Sequence, residues 1–145
     1  SRHSLAVADS GMQVWAFGSN VQGQLGIGQG NASDGFQMAY PTLCKTLTRQ
    51  HRMEVVQVTA ASCHSLAVTR AGEVYAWGDN TYGQLGFPRE GSVQQDMRRI
   101  AEVDAAQAFA RGVGRVWLPT RVVGLGVHKI LAAATADMHS LVLAK

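Results

Sequence analysis

Cysteine, proline and unbalanced charge are all scarce in this chain, and each scarcity narrows what it can be. Two cysteines, Cys44 and Cys63, carry no CxxC or histidine spacing, so neither a disulfide framework nor a zinc site is encoded. Both read as reduced, intracellular thiols, with cytoplasm and nucleus left undivided. Three prolines among 145 residues exclude a proline-rich linker, and 46% hydrophobic against 16% charged residues excludes a disordered tail. The net charge of +3 is too small a surplus to mark a nucleic-acid binder. No apolar run approaches the ~20 residues of a membrane-spanning helix, and Ser1-Arg2-His3 opens no targeting pattern, so no membrane partner is expected.

What is abundant is repetition, which has to be recognised before anything else is inferred about the fold. The pentad His3-Ser4-Leu5-Ala6-Val7 returns as His64-Ser65-Leu66-Ala67-Val68 and again as His139-Ser140-Leu141-Val142-Leu143. A second block runs from Val14 to Gly26 and reappears from Val74 to Gly86 with 8 of 13 positions identical, including Gly18, Asn20, Gly23 and Gly26 against Gly78, Asn80, Gly83 and Gly86. A looser match sets Pro41-Thr42 against Pro119-Thr120, each leading towards an apolar stretch, Val55 to Val58 and Ile130 to Ala133. These matches divide the chain into a unit over residues 3–63, a second over 64–138, and the first strand of another over 139–145.

Within a unit the pattern is that of short strands and turns. The pentad and the aromatic block are joined by Asp9-Ser10-Gly11 or Arg70-Ala71-Gly72, a hairpin signature. The close of the aromatic block, Gly23 to Gly26 and Gly83 to Gly86, predicts a tight reversal with Leu25 and Leu85 pointing inward. Pro41 and Pro119 must begin a strand or lie at an edge, because proline donates no ladder hydrogen bond. About four strands per unit follow. The second unit is longer between Gly86 and Pro119 by 18 residues than the first between Gly26 and Pro41. Val93, Met97, Ile100, Val103, Ala106 and Phe109 recur there at helical spacing, which predicts a helix over residues 93–110.

A unit with an H-S-L-A-V strand, a glycine turn, a V-Y-x-W-G-x-N-x-x-G-Q-L-G block, a proline and a V-x-x-V strand resembles the repeat of the regulator of chromosome condensation family. The resemblance implies an all-β fold in which each unit forms a four-stranded blade and seven blades close a ring. Residues 1–145 would then be about two blades of an incomplete β-propeller, with the remaining blades of the same protein as their natural neighbours. The family's glycine three residues before the histidine is Ala61 in the second copy and Ala136 in the third, a departure that puts the form of those turns in question.

Three His-Ser pairs invite a catalytic reading, yet a catalytic site is built once from converging groups, whereas His3, His64 and His139 recur at one position per unit. A structural role is expected for them. Gly23 to Gly28 lacks the helix and distant acid of a dinucleotide site, so no cofactor, metal or catalytic residue is predicted. Arginines offer a hint of binding instead: Arg89, Arg98, Arg99, Arg111 and Arg115 cluster in and around the insertion, and Lys45, Arg49 and Arg52 in the other connection. Arginine suits carboxylate or phosphate partners, and loops on a rigid rim commonly carry binding. The expected function is a non-catalytic protein-interaction scaffold acting through residues 88–115. Its rivals, implied by the resemblance, are a guanine-nucleotide exchange factor for a Ran-like small GTPase with chromatin association, or the substrate-recruiting domain of a ubiquitin ligase. Nucleic acid as a partner is only weakly supported by the charge.

Overall fold

A computed structural model describes residues 2–28, 36–48, 53–87, 114–126 and 128–145. Nine strands are found there: β1 (His3–Ala8), β2 (Gln13–Ser19), β3 (Gln37–Thr48), β4 (Val55–Ala60), β5 (His64–Thr69), β6 (Val74–Asp79), β7 (Arg115–Arg121), β8 (Ile130–Thr135) and β9 (Ser140–Ala144). They form three antiparallel sheets in the orders β1-β2-β3, β4-β5-β6-β7 and β8-β9. The repeated pentad is β1, β5 and β9, and the aromatic block supplies β2 and β6. No described helix is long and apolar enough to cross a membrane. The helix expected over residues 93–110 lies outside the described residues.

Sheet and sequence unit are out of phase by one strand. The strand that closes the first unit, β4, hydrogen-bonds to β5, the first strand of the second, so the four-stranded sheet runs from Val55 to Arg121. The same phase recurs in the last sheet, where β8, which closes the second unit, pairs with β9, the first strand of the next. Within the shared hairpin the registers match: His3 pairs with Gly18 and Ser4 with Phe17, as His64 pairs with Gly78 and Ser65 with Trp77. The extra residue of the first copy falls in the turn, where Val7 pairs with Val14 and Val68 with Val74. Both prolines sit in the outermost strand of their sheet beside a register shift, Pro41 between the Ala16–Thr42 and Gly18–Met38 pairs and Pro119 between Ala76–Thr120 and Gly78–Val116. At such a bulge on an edge strand the missing N–H costs no ladder bond.

Burial follows from stacking sheet on sheet. Every residue of β5 is buried, because a sheet lies on each of its faces. The equivalent β1 buries His3 but leaves Ser4 and Ala6 exposed, and β9 leaves Leu141 and Leu143 at 64% and 60% exposure. The continuous core between the sheets is Val14, Leu25, Leu47, Leu66, Val68, Trp77, Leu85 and Val116 with their neighbours. Leu25 and Leu85 are inward plugs, as the glycine-flanked spacing requires.

Two glycines at equivalent points have different tolerances. Gly78 has φ +103°, and an added Cβ would lie 2.5 Å from the carbonyl oxygen of Cys63 and 2.7 Å from Cα of His64. Gly83 has φ +77° but nothing within 4 Å of that position. Gly78→Ala is therefore expected to cost at least about 2 kcal/mol, from left-handed strain plus a backbone clash, while Gly83→Ala costs only the strain, about 1 kcal/mol. Chemical denaturation of the two variants checks the order.

Candidate functional site

Each aromatic block ends in the same polar turn, and the turn presents one backbone carbonyl to the next sheet. Asn20 Oδ1 accepts from the Leu25 N–H at 3.1 Å, as Asn80 Oδ1 does from Leu85 at 3.0 Å. Gln24 Oε1 accepts from the Gln22 N–H at 2.8 Å, matched by Gln84 and Tyr82 at 2.9 Å. The amides of Gly23, Gly26, Gly83 and Gly86 donate to the carbonyls three residues earlier. With its own side chain tied into the turn, the glutamine's carbonyl is left to face the neighbouring sheet.

That carbonyl anchors a relay between sheets. Ser65 Oγ donates to Gln24 O at 2.8 Å, and His3 Nε2 lies 2.7 Å from the same hydroxyl. A serine hydroxyl has one proton, here given to the carbonyl, so the imidazole must donate its Nε2–H. One seam further on the arrangement repeats, with Ser140 Oγ donating to Gln84 O at 2.8 Å and His64 Nε2 at 3.0 Å from Ser140 Oγ. The histidine of one pentad thus engages the serine of the next pentad, not the serine beside it in sequence. Trp77 adds a second donor to the first seam, its Nε1–H reaching Gln24 O at 2.9 Å. At the matching position of the first sheet stands Phe17, which has no N–H to offer.

Electrostatics agree with neutral imidazoles. Burial pushes His3 down to about 4, and burial likewise holds His64 below its ordinary range, against the opposing pull of Asp79 and Asp137. His139, whose outer face no sheet covers among the described residues, is exposed. Cys44 is pushed up to about 12 by burial, and its thiol donates to Leu25 O at 3.1 Å, so it is a packing residue with no thiolate to offer. Among the described residues no three His, Cys, Asp or Glu side chains are grouped to hold a metal.

A clamp that the repeat pattern does not reveal joins the second and third sheets. The side-chain amide of Gln57 on β4 donates to Ala133 O and accepts from the Ala133 N–H, both at 2.9 Å, imitating a strand along the free edge of β8. Ala132 occupies the corresponding position on β8. Ser62 also donates to Asp137 across this seam, at the end of the sheets where the histidines lie.

The arginines are distributed less simply than their clustering in sequence suggests. Arg115 is the exposed first residue of β7, paired in register with Asp79 at the histidine end of the sheet. Arg89, Arg98, Arg99 and Arg111 lie outside the described residues, as do Arg49 and Arg52. Lys45 is exposed near the far end of β3, whose Thr48 pairs with Gln13 beside the β1–β2 turn. Lys45 and Arg115 therefore belong to opposite rims. Alanine suffices at the departures Ala61 and Ala136: each N–H donates to the carbonyl of the following histidine at 2.9 Å, and neither residue has positive φ.

The model of the regulator of chromosome condensation (RCC1) repeat matches residues 13–68 and 71–143, and a second model of that repeat matches residues 55–84. The chain belongs to the RCC1 repeat family. Its sheets are β-propeller blades. Human probable E3 ubiquitin-protein ligase HERC6 is 37% identical over 114 residues, covering 76% of this chain and 10% of that protein. Rat (Rattus norvegicus) alsin is 32% identical over 70% of this chain and 6% of its own length, and the ultraviolet-B receptor UVR8 of Arabidopsis thaliana 42% over 59% and 18%. The chain thus spans less than a fifth of each of these relatives. Human WBSCR16 superposes with a TM-score of 0.67 at 26% identity, over 99% of this chain and 29% of that one. Yeast RCC1 (Prp20), solved bound to Kap60, superposes at 0.69 and 22% identity over 99% and 28%, a likeness of fold.

The recurring serines Ser65 and Ser140 bond across the seam to the histidine of the preceding pentad, and the acceptors Gln24 and Gln84 carry a signal only in their recurrence beside Leu25 and Leu85. Gln57 occurs once and had none. Ser65→Ala is expected to cost about 1–3 kcal/mol, because it removes the hydroxyl that links the buried His3 Nε2–H to Gln24 O, while Gln24 O keeps its bond from Trp77. Gln57→Met, which keeps volume and removes both bonds to Ala133, should cost a similar amount. Equilibrium unfolding of each variant against the unaltered chain measures both.

Proposed function

We propose that this chain is a non-catalytic protein-interaction scaffold: consecutive blades of a larger RCC1-type ring that bind through the loops of one rim. One observation carries the reading. The two connections whose lengths differ between units both open at the histidine end of the sheets, leaving β2 after Ser19 and β6 after Asp79 and returning at Gln37 and Arg115. The seams that hold those ends together use the polar groups of the repeated motif, so variation is free to fall on the loops.

Further blades are the natural cover for the exposed faces of β1 and β9, since Ser65 and Ala67, the counterparts of the exposed Ser4 and Ala6, are fully buried. For the partner, the composition of residues 88–115 favours protein over a phosphate backbone. Its five arginines are accompanied by Glu90, Asp96, Glu102 and Asp104, which leaves little net charge for phosphate neutralisation. Exchange activity on a Ran-like GTPase is the second reading; one related structure describes the binding of Prp20p to Gsp1p and histones, at 20% identity to this chain.

A photo-crosslinking residue at Arg115 of the full-length natural protein should capture a protein partner, whereas the same probe at Lys45 should not. Capture from Lys45 alone would overturn the choice of rim. Nucleotide release from Ran-type GTPases should be unchanged by the full-length protein, and acceleration would replace the scaffold reading with the exchange reading.

A further inference from the structure

His64 is where an added proton would meet the packing of the seam most directly. Its Nε2–H is already directed at Ser140 Oγ, so a second proton has to reside on Nδ1. Nδ1 is buried and has no hydrogen-bond partner among the described residues. The imidazolium would therefore place a desolvated, unsatisfied charged N–H between two sheets.

Charged and titratable groups face this ring from each neighbouring element. Asp79 lies at the end of β6, Asp137 in the turn before β9, His139 at the head of the next pentad and His3 at the head of the preceding one. Both carboxylates favour the imidazolium, but each is also engaged elsewhere. Asp79 accepts from the Thr81 N–H and hydroxyl and from Gln84 Nε2, and Asp137 accepts from Ser62. His3 and His139 oppose the charge once they carry one themselves. Burial is the largest of these influences, and the balance favours the neutral ring.

We propose that the His–Ser–carbonyl relay makes the seam between blades proton-sensitive, so that acidification loosens one blade from the next at His64. The direction follows from linkage. With the folded-state value below the ordinary 6.5, the unfolded chain binds the proton more readily. Stability is then fully present above about pH 6.5 and is lost as the pH falls below it.

The test is urea unfolding of the whole chain at pH 7 and pH 5, with His64→Gln alongside. Glutamine keeps an N–H for Ser140 and does not titrate. The unfolding constant of the unaltered chain should rise on acidification, each such imidazole contributing at most about 25-fold, the ceiling set by an unfolded histidine near 6.5. The rise should shrink in His64→Gln and shrink again in His3→Gln/His64→Gln. An equal rise in all three chains would overturn the proposal. Nitrogen-15 NMR of His64 in the unaltered chain gives an answer even if the variants fail to fold. A neutral Nε2–H ring persisting below pH 6.5 supports the proposal, and titration at or above 6.5 refutes it.

Discussion

A backbone carbonyl that receives hydrogen bonds from the adjacent sheet is the contact on which this architecture depends. Apolar stacking alone holds sheets together without fixing which sheet follows which, or at what height. The Gln24 carbonyl, taking the Ser65 hydroxyl at 2.8 Å and the Trp77 indole at 2.9 Å, adds that directional information. Gln84 repeats it with Ser140. The turn makes this possible by satisfying the glutamine side chain locally, and the glycines let it approach closely: a Cβ on Gly26 would lie 2.8 Å from the Trp77 indole nitrogen. A repeat of pentad and turn is thus a repeat of two halves of one joint. Each half lies in a different sheet, which is why both recur together in the sequence.

Such a joint explains what was legible in the sequence. Hairpins could be read from apolar runs about Gly11 and Gly72, because strand and turn chemistry are local. Leu25 and Leu85 could be read as plugs, since flanking glycines leave a single side chain to fill the space. The division into blades was less accessible. A sequence period has no intrinsic origin, and only hydrogen bonding assigns β4 to β5 rather than to β3. The same limit governed the histidines. His3 and Ser4 are neighbours in the chain, yet alternate strand residues face opposite sides, so His3 meets Ser65 and Ser4 turns away.

Features occurring once left no trace. Gln57 sits in a strand whose other residues are Val, Thr and Ala, and nothing in that pattern shows that its amide would pair with both backbone groups of Ala133. The clamp matters because it satisfies both outward backbone groups of the buried Ala133 on the edge strand β8. Lys45 and Arg115 likewise invited a common reading as loop cations, but a strand of seven or more residues carries its ends to opposite rims.

These constraints place the repeated polar contacts between sheets and the variable connections beyond the strand ends. The histidine, serine, glutamine and tryptophan that might have supplied chemistry are engaged between sheets: Ser65 gives its proton to a carbonyl, Cys44 holds its thiol against Leu25, and burial keeps His3 neutral. What varies between units is instead the length and composition of connections beyond Ser19 and Asp79. A stack assembled from repeated joints tolerates such variation, because a loop inserted after the turn leaves the carbonyl, hydroxyl and imidazole of the joint where they were. Loop length can therefore diverge on the rim of this fold while the carbonyl, hydroxyl and imidazole of each seam keep their places.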